Sequence, residues 1–114
     1  MKLAGCNVGL DQRLFLIAGP DSLESLDMCL EVAGHLKEVT DRLGIPYIFK
    51  GSYDKANRTS VKSYRGPGLD QGMKMLEAIR EQIGVPVLTD VHEDTPLDVV
   101  AAVVDVIQTP AFLC

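Results

Sequence analysis

An α/β fold built on a parallel sheet is predicted by three observations. Short apolar runs of strand length alternate with stretches of helical periodicity along the whole chain. The runs are continuously apolar rather than alternating, as strands covered on both faces are. The punctuation between them, Gly19-Pro20, Gly44 with Pro46, and Gly84 with Pro86, falls where helices and strands must stop.

Residues 1–13 stand before this pattern. Lys2-Leu3-Ala4 and Val8-Gly9-Leu10 flank Gly5-Cys6-Asn7, which reads as a small N-terminal hairpin. Leu14-Phe15-Leu16-Ile17-Ala18 is the first strand of the main body. Asp21 and Glu24 then have capping-box spacing, and a helix runs on to about Leu43, with Leu26, Leu30, Ala33, Leu36 and Leu43 near one face. The second strand spans Ile45 to Phe49. A second helix covers about Asp70 to Ile83, with Met73, Leu76, Ile79 and Ile83 at helical spacing. Val85-Pro86-Val87-Leu88-Thr89 is the third strand, with Pro86 tolerated near its start. Thr95-Pro96-Leu97-Asp98 reads as N-cap, Pro at N1 and an acid at N3, opening a short helix to about Ala102. Asp105-Val106-Ile107-Gln108 is the fourth strand, and Thr109-Pro110-Ala111-Phe112 leaves it.

A βαβαβαβ order with these spacings requires right-handed crossovers and a parallel sheet. A (β/α)8 TIM barrel takes about 250 residues. Residues 14–114 are therefore expected to form about the first half of such a barrel, interrupted after the fourth strand.

Composition narrows the function classes. The chain of 114 residues is 46% hydrophobic and 24% charged, with a net charge of -5. That acidic balance argues against a nucleic-acid or membrane surface as partner, since a phosphate backbone wants a basic face. Cys6, Cys29 and Cys114 show neither metal-ligand spacing nor an even count for a disulfide framework, which favours a reducing cytoplasm.

Against that global charge stands one basic stretch. Lys50, Lys55, Arg58, Lys62 and Arg65, five of the eleven basic residues, lie between the second strand and Gly66, with Asp54 the single acid among them. Ser52, Asn57, Thr59 and Ser60 are interleaved. Such a loop can be a solvated surface, but a lysine at the very end of an apolar strand sits where open sheets and barrels bind ligands. A phosphorylated ligand offers negative charge and strong acceptor oxygens to that set of donors. Asp21, Asp90, His92, Glu93 and Gln108 occupy the other strand ends and converge on the same mouth. Each has an alternative structural role: Asp21 as a helix cap, Asp90 and His92 as loop supports, Gln108 as a partner for backbone groups. Asp21, His92 and Glu93 together have no known metal-ligand spacing.

The stretch Phe49-Lys50-Gly51-Ser52-Tyr53-Asp54-Lys55-Ala56-Asn57-Arg58-Thr59-Ser60, followed by Tyr64-Arg65-Gly66-Pro67-Gly68-Leu69, closely resembles the 3-deoxy-D-manno-octulosonate 8-phosphate synthases. Thr89-Asp90-Val91-His92-Glu93 and the run from Val104 to Leu113 are similar to the same family, in the same order. The resemblance implies a transferase that condenses phosphoenolpyruvate with arabinose 5-phosphate in lipopolysaccharide precursor synthesis. It implies a cytoplasmic homo-oligomer, a tetramer in the family. Positions matching Lys50, Ser52 and Lys55 hold phosphoenolpyruvate there, and Ala111 and Phe112 match the wall of its pocket. Those matching Asn57, Asp90 and Gln108 lie at the sugar or reaction centre. Those matching Arg58 and Thr59 take the sugar phosphate.

Asp21 departs from the family. Its position holds Cys in metal-dependent members and Asn in metal-independent ones. Asp either offers oxygen to a hard divalent ion in the full-length protein or caps the helix in a metal-free enzyme. The later strands, which carry further ligands in the family, are not in the sequence, so this chain alone is expected to be inactive. Two other readings stand beside the synthase: a non-catalytic half-barrel that binds a partner, and the related seven-carbon synthase that uses erythrose 4-phosphate. The latter has a Lys-Pro-Arg-Thr type loop where this chain has Lys55-Ala56-Asn57-Arg58.

Overall fold

The structure is a computed structural model that describes residues 1–55 and 65–113, with Phe112 described by its backbone only. Strands β1 (Lys2–Leu3) and β2 (Cys6–Asn7) pair antiparallel, with Leu3 opposite Cys6. The two residues between them, Ala4 at φ 49 and Gly5 at φ 82, both take positive φ, as a tight two-residue hairpin turn demands.

The main body alternates β3 (Leu16–Ala18), α1 (Leu26–Leu43), β4 (Tyr47–Lys50), α2 (Leu69–Ile83), β5 (Val87–Asp90), α3 (Leu97–Ala101) and β6 (Val106–Gln108), then a 3-10 turn over Ala111–Leu113. The four strands form one parallel sheet in the order β3-β4-β5-β6. A doubly wound sheet reverses its strand order and carries helices on both faces. Here the order never reverses, so right-handed crossovers put every helix on one face. This is the arrangement of part of a (β/α)8 barrel.

Register assigns each side chain to a face. Ala18, Phe49 and Val87 are aligned across three strands and join the core that α1 and α2 cover. Phe49, Leu76, Ile79, Val87 and Val100 are all 0% exposed. Burying one such side chain contributes roughly 1.5–3 kcal/mol, so this layer fixes the helices to the sheet. The opposite face carries Ile17, Ile48, Leu88 and Val106 and, at the carboxyl ends, Lys50, Asp90 and Gln108. At the other end Asp105 accepts from the Val87 amide at 2.9 Å and pairs with Arg80 at 3.2 Å, joining β5, α2 and the start of β6.

Several expected boundaries move. The first strand begins at Leu16 rather than Leu14, whose side chain is exposed. The second and third strands run one residue further than expected, so that Lys50 and Asp90 are inside them. Asp21 and Glu24 do not form a capping box. The chain instead bends at Asp21 and Ser22 forms a parallel bridge to Ser52, with the Leu23 amide donating to the Ser52 carbonyl at 3.1 Å. Helix α1 therefore starts later, capped by Ser25, whose hydroxyl accepts from the Met28 amide at 3.1 Å. Cys29 and Thr40 join Ala33 on its buried side, while Leu43 is exposed. Thr95 does not cap α3, where Pro96 is the N-cap. Its hydroxyl is taken by His92 and Tyr53, as described below.

Candidate functional site

The carboxyl ends of β4, β5 and β6 enclose a cavity of about 400 Å³, lined by Lys50, Ser52, Lys55, Asp90, His92, Gln108, Pro110 and Ala111. Each residue arrives there for a local reason. Lys50 ends β4 on the same face as Ile48, and Asp90 faces Gln108 in the β5–β6 register. Gly51 lets the chain turn against Leu23, since a Cβ there would overlap the Leu23 side chain. This turn delivers Ser52, 1% exposed, into the cavity wall.

A polar chain runs along the wall. The Lys55 ammonium pairs with Asp21 at 2.8 Å and donates to the Ser52 hydroxyl at 3.3 Å. The Ser52 hydroxyl in turn donates to Asp90 Oδ1 at 2.5 Å. Charge-assisted bonds of this kind are short and strong. Three strand ends are thereby coupled through four side chains. Among the described residues the Lys50 ammonium carries no ion pair, which leaves its charge to the cavity.

From the lining residue His92 a second layer extends behind the wall. His92 Nε2 stands 2.8 Å from the Asp54 carbonyl, and its ring meets the Tyr53 ring edge-on at 5.6 Å. The Tyr53 and Thr95 hydroxyls are 2.7 Å apart, and Thr95 also accepts from the His92 amide at 2.8 Å. Burial, only partly offset by the Thr95 hydrogen bond, pushes the Tyr53 hydroxyl above its ordinary value, and the carboxylates of Asp90, Asp54 and Asp94 add to the shift. Arg65 grips Asp54 with two bonds, Nε to Oδ1 at 2.6 Å and Nη2 to Oδ2 at 2.8 Å. The hydrogen bond and charge of Asp54 hold the guanidinium above its ordinary value.

Of the expected site residues, Lys50, Ser52, Lys55, Asp90, Gln108 and Ala111 come together around the cavity. Asn57, Arg58 and Thr59 lie outside the described residues, as does Lys62, and the side chain of Phe112 is not described. Arg65 was counted with the ligand-directed cations but is committed to Asp54. A complete metal site is not formed by the described residues. No group of three His, Cys, Asp or Glu side chains able to hold an ion exists among the described residues. Asp21 is engaged by Lys55, and His92 Nε2 by a carbonyl. Sequence reasoning missed Tyr53 and Thr95, whose contact spans 42 positions and leaves no local signal.

The fold and this cavity define a class: a (β/α)-barrel sheet whose strand ends bring two lysines, a carboxylate, a hydroxyl and an amide around one cavity. The chain belongs to the DAHP synthetase I family, whose profile matches residues 2–114. It is 66% identical over 113 residues to a Hydrogenovibrio crunogenus protein named 2-dehydro-3-deoxyphosphooctonate aldolase, covering 99% of this chain and 41% of that protein. Proteins of the same name from Xanthomonas oryzae pv. oryzae and Stenotrophomonas maltophilia are 67% and 66% identical over the same shares. The chain thus spans about two fifths of the length of these curated relatives.

Proposed function

We propose that this chain supplies the phosphoenolpyruvate-binding part of a 3-deoxy-D-manno-octulosonate 8-phosphate synthase, a cytoplasmic homo-oligomer acting in lipopolysaccharide precursor synthesis. The observation that carries the reading is the convergence of Lys50, Lys55, Ser52, Asp90 and Gln108 on one cavity. The names of the relatives support the eight-carbon product over the seven-carbon one.

Phosphoenolpyruvate brings a carboxylate and a phosphate. Lys50 and Lys55 neutralise them, and Ser52 donates once the ligand competes for its hydrogen. The enol carbon attacks the aldehyde carbon of arabinose 5-phosphate, and the carbon bearing the phosphate ester becomes cationic. Water adds to that carbon, and loss of inorganic phosphate leaves the keto acid. One water is consumed for each phosphate released. Asp90 and Gln108, facing each other across β5 and β6, are suited to bind the sugar hydroxyls or the water. Fixed charges and positioning supply most of the acceleration. Asn57, Arg58 and Thr59 belong to the same reading as acceptor and acceptor-phosphate ligands.

The test is phosphate release from phosphoenolpyruvate by the whole protein that carries this sequence, with arabinose 5-phosphate and erythrose 4-phosphate as competing acceptors. Release that depends on the five-carbon acceptor supports the reading, and preference for the four-carbon acceptor overturns it. The 114-residue chain by itself is expected to release none.

A further inference from the structure

The peptide joining Asp54 to Lys55 is held from both of its polar ends. Its carbonyl oxygen is 2.8 Å from His92 Nε2, and its N–H donates to the Arg65 carbonyl at 2.6 Å. A carbonyl accepts only, so Nε2 carries the hydrogen and His92 is the donor. The Arg65 carbonyl is itself located by the Arg65 side chain, which grips Asp54 bidentately. Gly68 closes the same neck by donating to the Tyr53 carbonyl at 2.9 Å, and Gly66 must lack a Cβ because one would overlap that carbonyl.

We infer that His92 and the Asp54–Arg65 ion pair are positioning residues for Lys55: they fix the peptide plane from which its ammonium reaches Ser52 and Asp21. The inference deepens the proposed function and rests on Lys55 being a ligand for phosphoenolpyruvate. A pinned peptide sets the direction of the Lys55 side chain before any ligand arrives. An ammonium aimed in advance loses less freedom on binding than one on a loose loop. Arg65 is not among the described residues that line the cavity, and its contacts there, to Asp54 and to the Lys55 amide, both lie at this neck.

The experiment uses the whole protein that carries this sequence, with phosphoenolpyruvate and arabinose 5-phosphate as substrates. Three variants are compared: His92→Phe, which keeps a ring beside Tyr53 and removes the donor; His92→Gln, whose amide can place an N–H where Nε2 was; and Arg65→Met, which keeps the stem and removes the fork. His92→Phe and Arg65→Met are expected to raise KM for phosphoenolpyruvate about tenfold, with kcat changed much less, and His92→Gln to recover most of the loss. Melting temperatures are read alongside. If both variants lower the melting temperature but leave that KM unchanged, the residues are merely structural and the inference fails. If His92→Phe lowers kcat alone while Arg65→Met does nothing, His92 acts directly on the reaction, and the inference also fails. An unmodified protein that consumes no phosphoenolpyruvate with either acceptor overturns the underlying functional reading, a result distinct from both.

Discussion

The Asp21 carboxylate and the Lys55 ammonium meet at 2.8 Å, joining the turn after β3 to the loop after β4. Asp21 is 87% exposed while Lys55 is 20% exposed, so the acid side is the one that water and ions can displace. An anion entering the cavity competes with Asp21 for the same ammonium. Asp21→Asn is therefore expected to tighten phosphoenolpyruvate binding by about two- to fivefold at low salt, the range of a surface ion pair. The gain should shrink as salt rises, because exposed charges are screened. Titration calorimetry at two salt concentrations checks both parts. An unchanged affinity would mean that Lys55 does not touch the ligand.

Ser52 and Asp90 share a short bond in the cavity wall, and their expected losses differ. Asp90→Asn removes the charge beside the proposed acceptor and keeps most of the shape. In the whole protein that carries this sequence it should lower kcat by about a hundredfold or more, as loss of a positioned proton-handling group does, without a matching rise in KM for phosphoenolpyruvate. Ser52→Ala removes the donor to Asp90 and the acceptor of Lys55 together, so KM for phosphoenolpyruvate should rise as well. A hydrogen bond to a charged group is worth about 1.5–3 kcal/mol, which sets the scale of that rise at roughly ten- to a hundredfold. Steady-state kinetics with each substrate varied in turn separates the two patterns.

What the sequence made legible was local. Lys50, Asp90 and Gln108 follow continuous apolar runs, so strand ends and their shared mouth could be read from periodicity alone. The helical stripe Met73, Leu76, Ile79 is buried for the same reason. Asp21 was misread because capping-box spacing is a local signal, whereas the bridge between Ser22 and Ser52 that ties this segment to the loop after β4 is not. Arg65 was misread because net charge does not reveal that Asp54, eleven residues earlier, already uses the guanidinium. The Tyr53–Thr95 pair and the His92 contact with Asp54 depend on how two loops fold over the sheet, and no residue pattern announces them.

Gly19 reads from sequence as a strand stop, yet its requirement is steric. A Cβ at this position would overlap the Lys50 carbonyl oxygen and come within 3.2 Å of the Phe49 ring. The obstacle is backbone on β4, which cannot rotate aside. Gly19→Ala should destabilise the fold by about 1–3 kcal/mol, the usual range for overpacking. Because the displaced group is the peptide of Lys50, ligand affinity should fall along with the denaturation midpoint. A variant that unfolds at the same denaturant concentration as the original would show that β3 and β4 separate without cost.

Cys29 gives the fold a pH limit on the alkaline side. It lies at the start of α1, is 0% exposed, and belongs to the core. Burial pushes its thiol up from 9.0 to about 11, with the Ser25 backbone hydrogen bond working against the shift and Glu24 adding to it. The folded state therefore holds the proton more tightly than the unfolded chain does. Its contribution is fully present below pH 9.0 and is lost as pH rises towards about 11, since only the unfolded chain gives up the proton in that window. Tyr47 and Tyr53 are shifted upward by burial too, so their contributions fade in the same direction. The melting temperature should fall across this window, and Cys29→Ala should make the fall shallower without abolishing it. Thermal unfolding of both proteins followed by circular dichroism at closely spaced pH values gives the two slopes. Parallel slopes would mean that the thiol ionises as easily in the folded protein as in the unfolded chain.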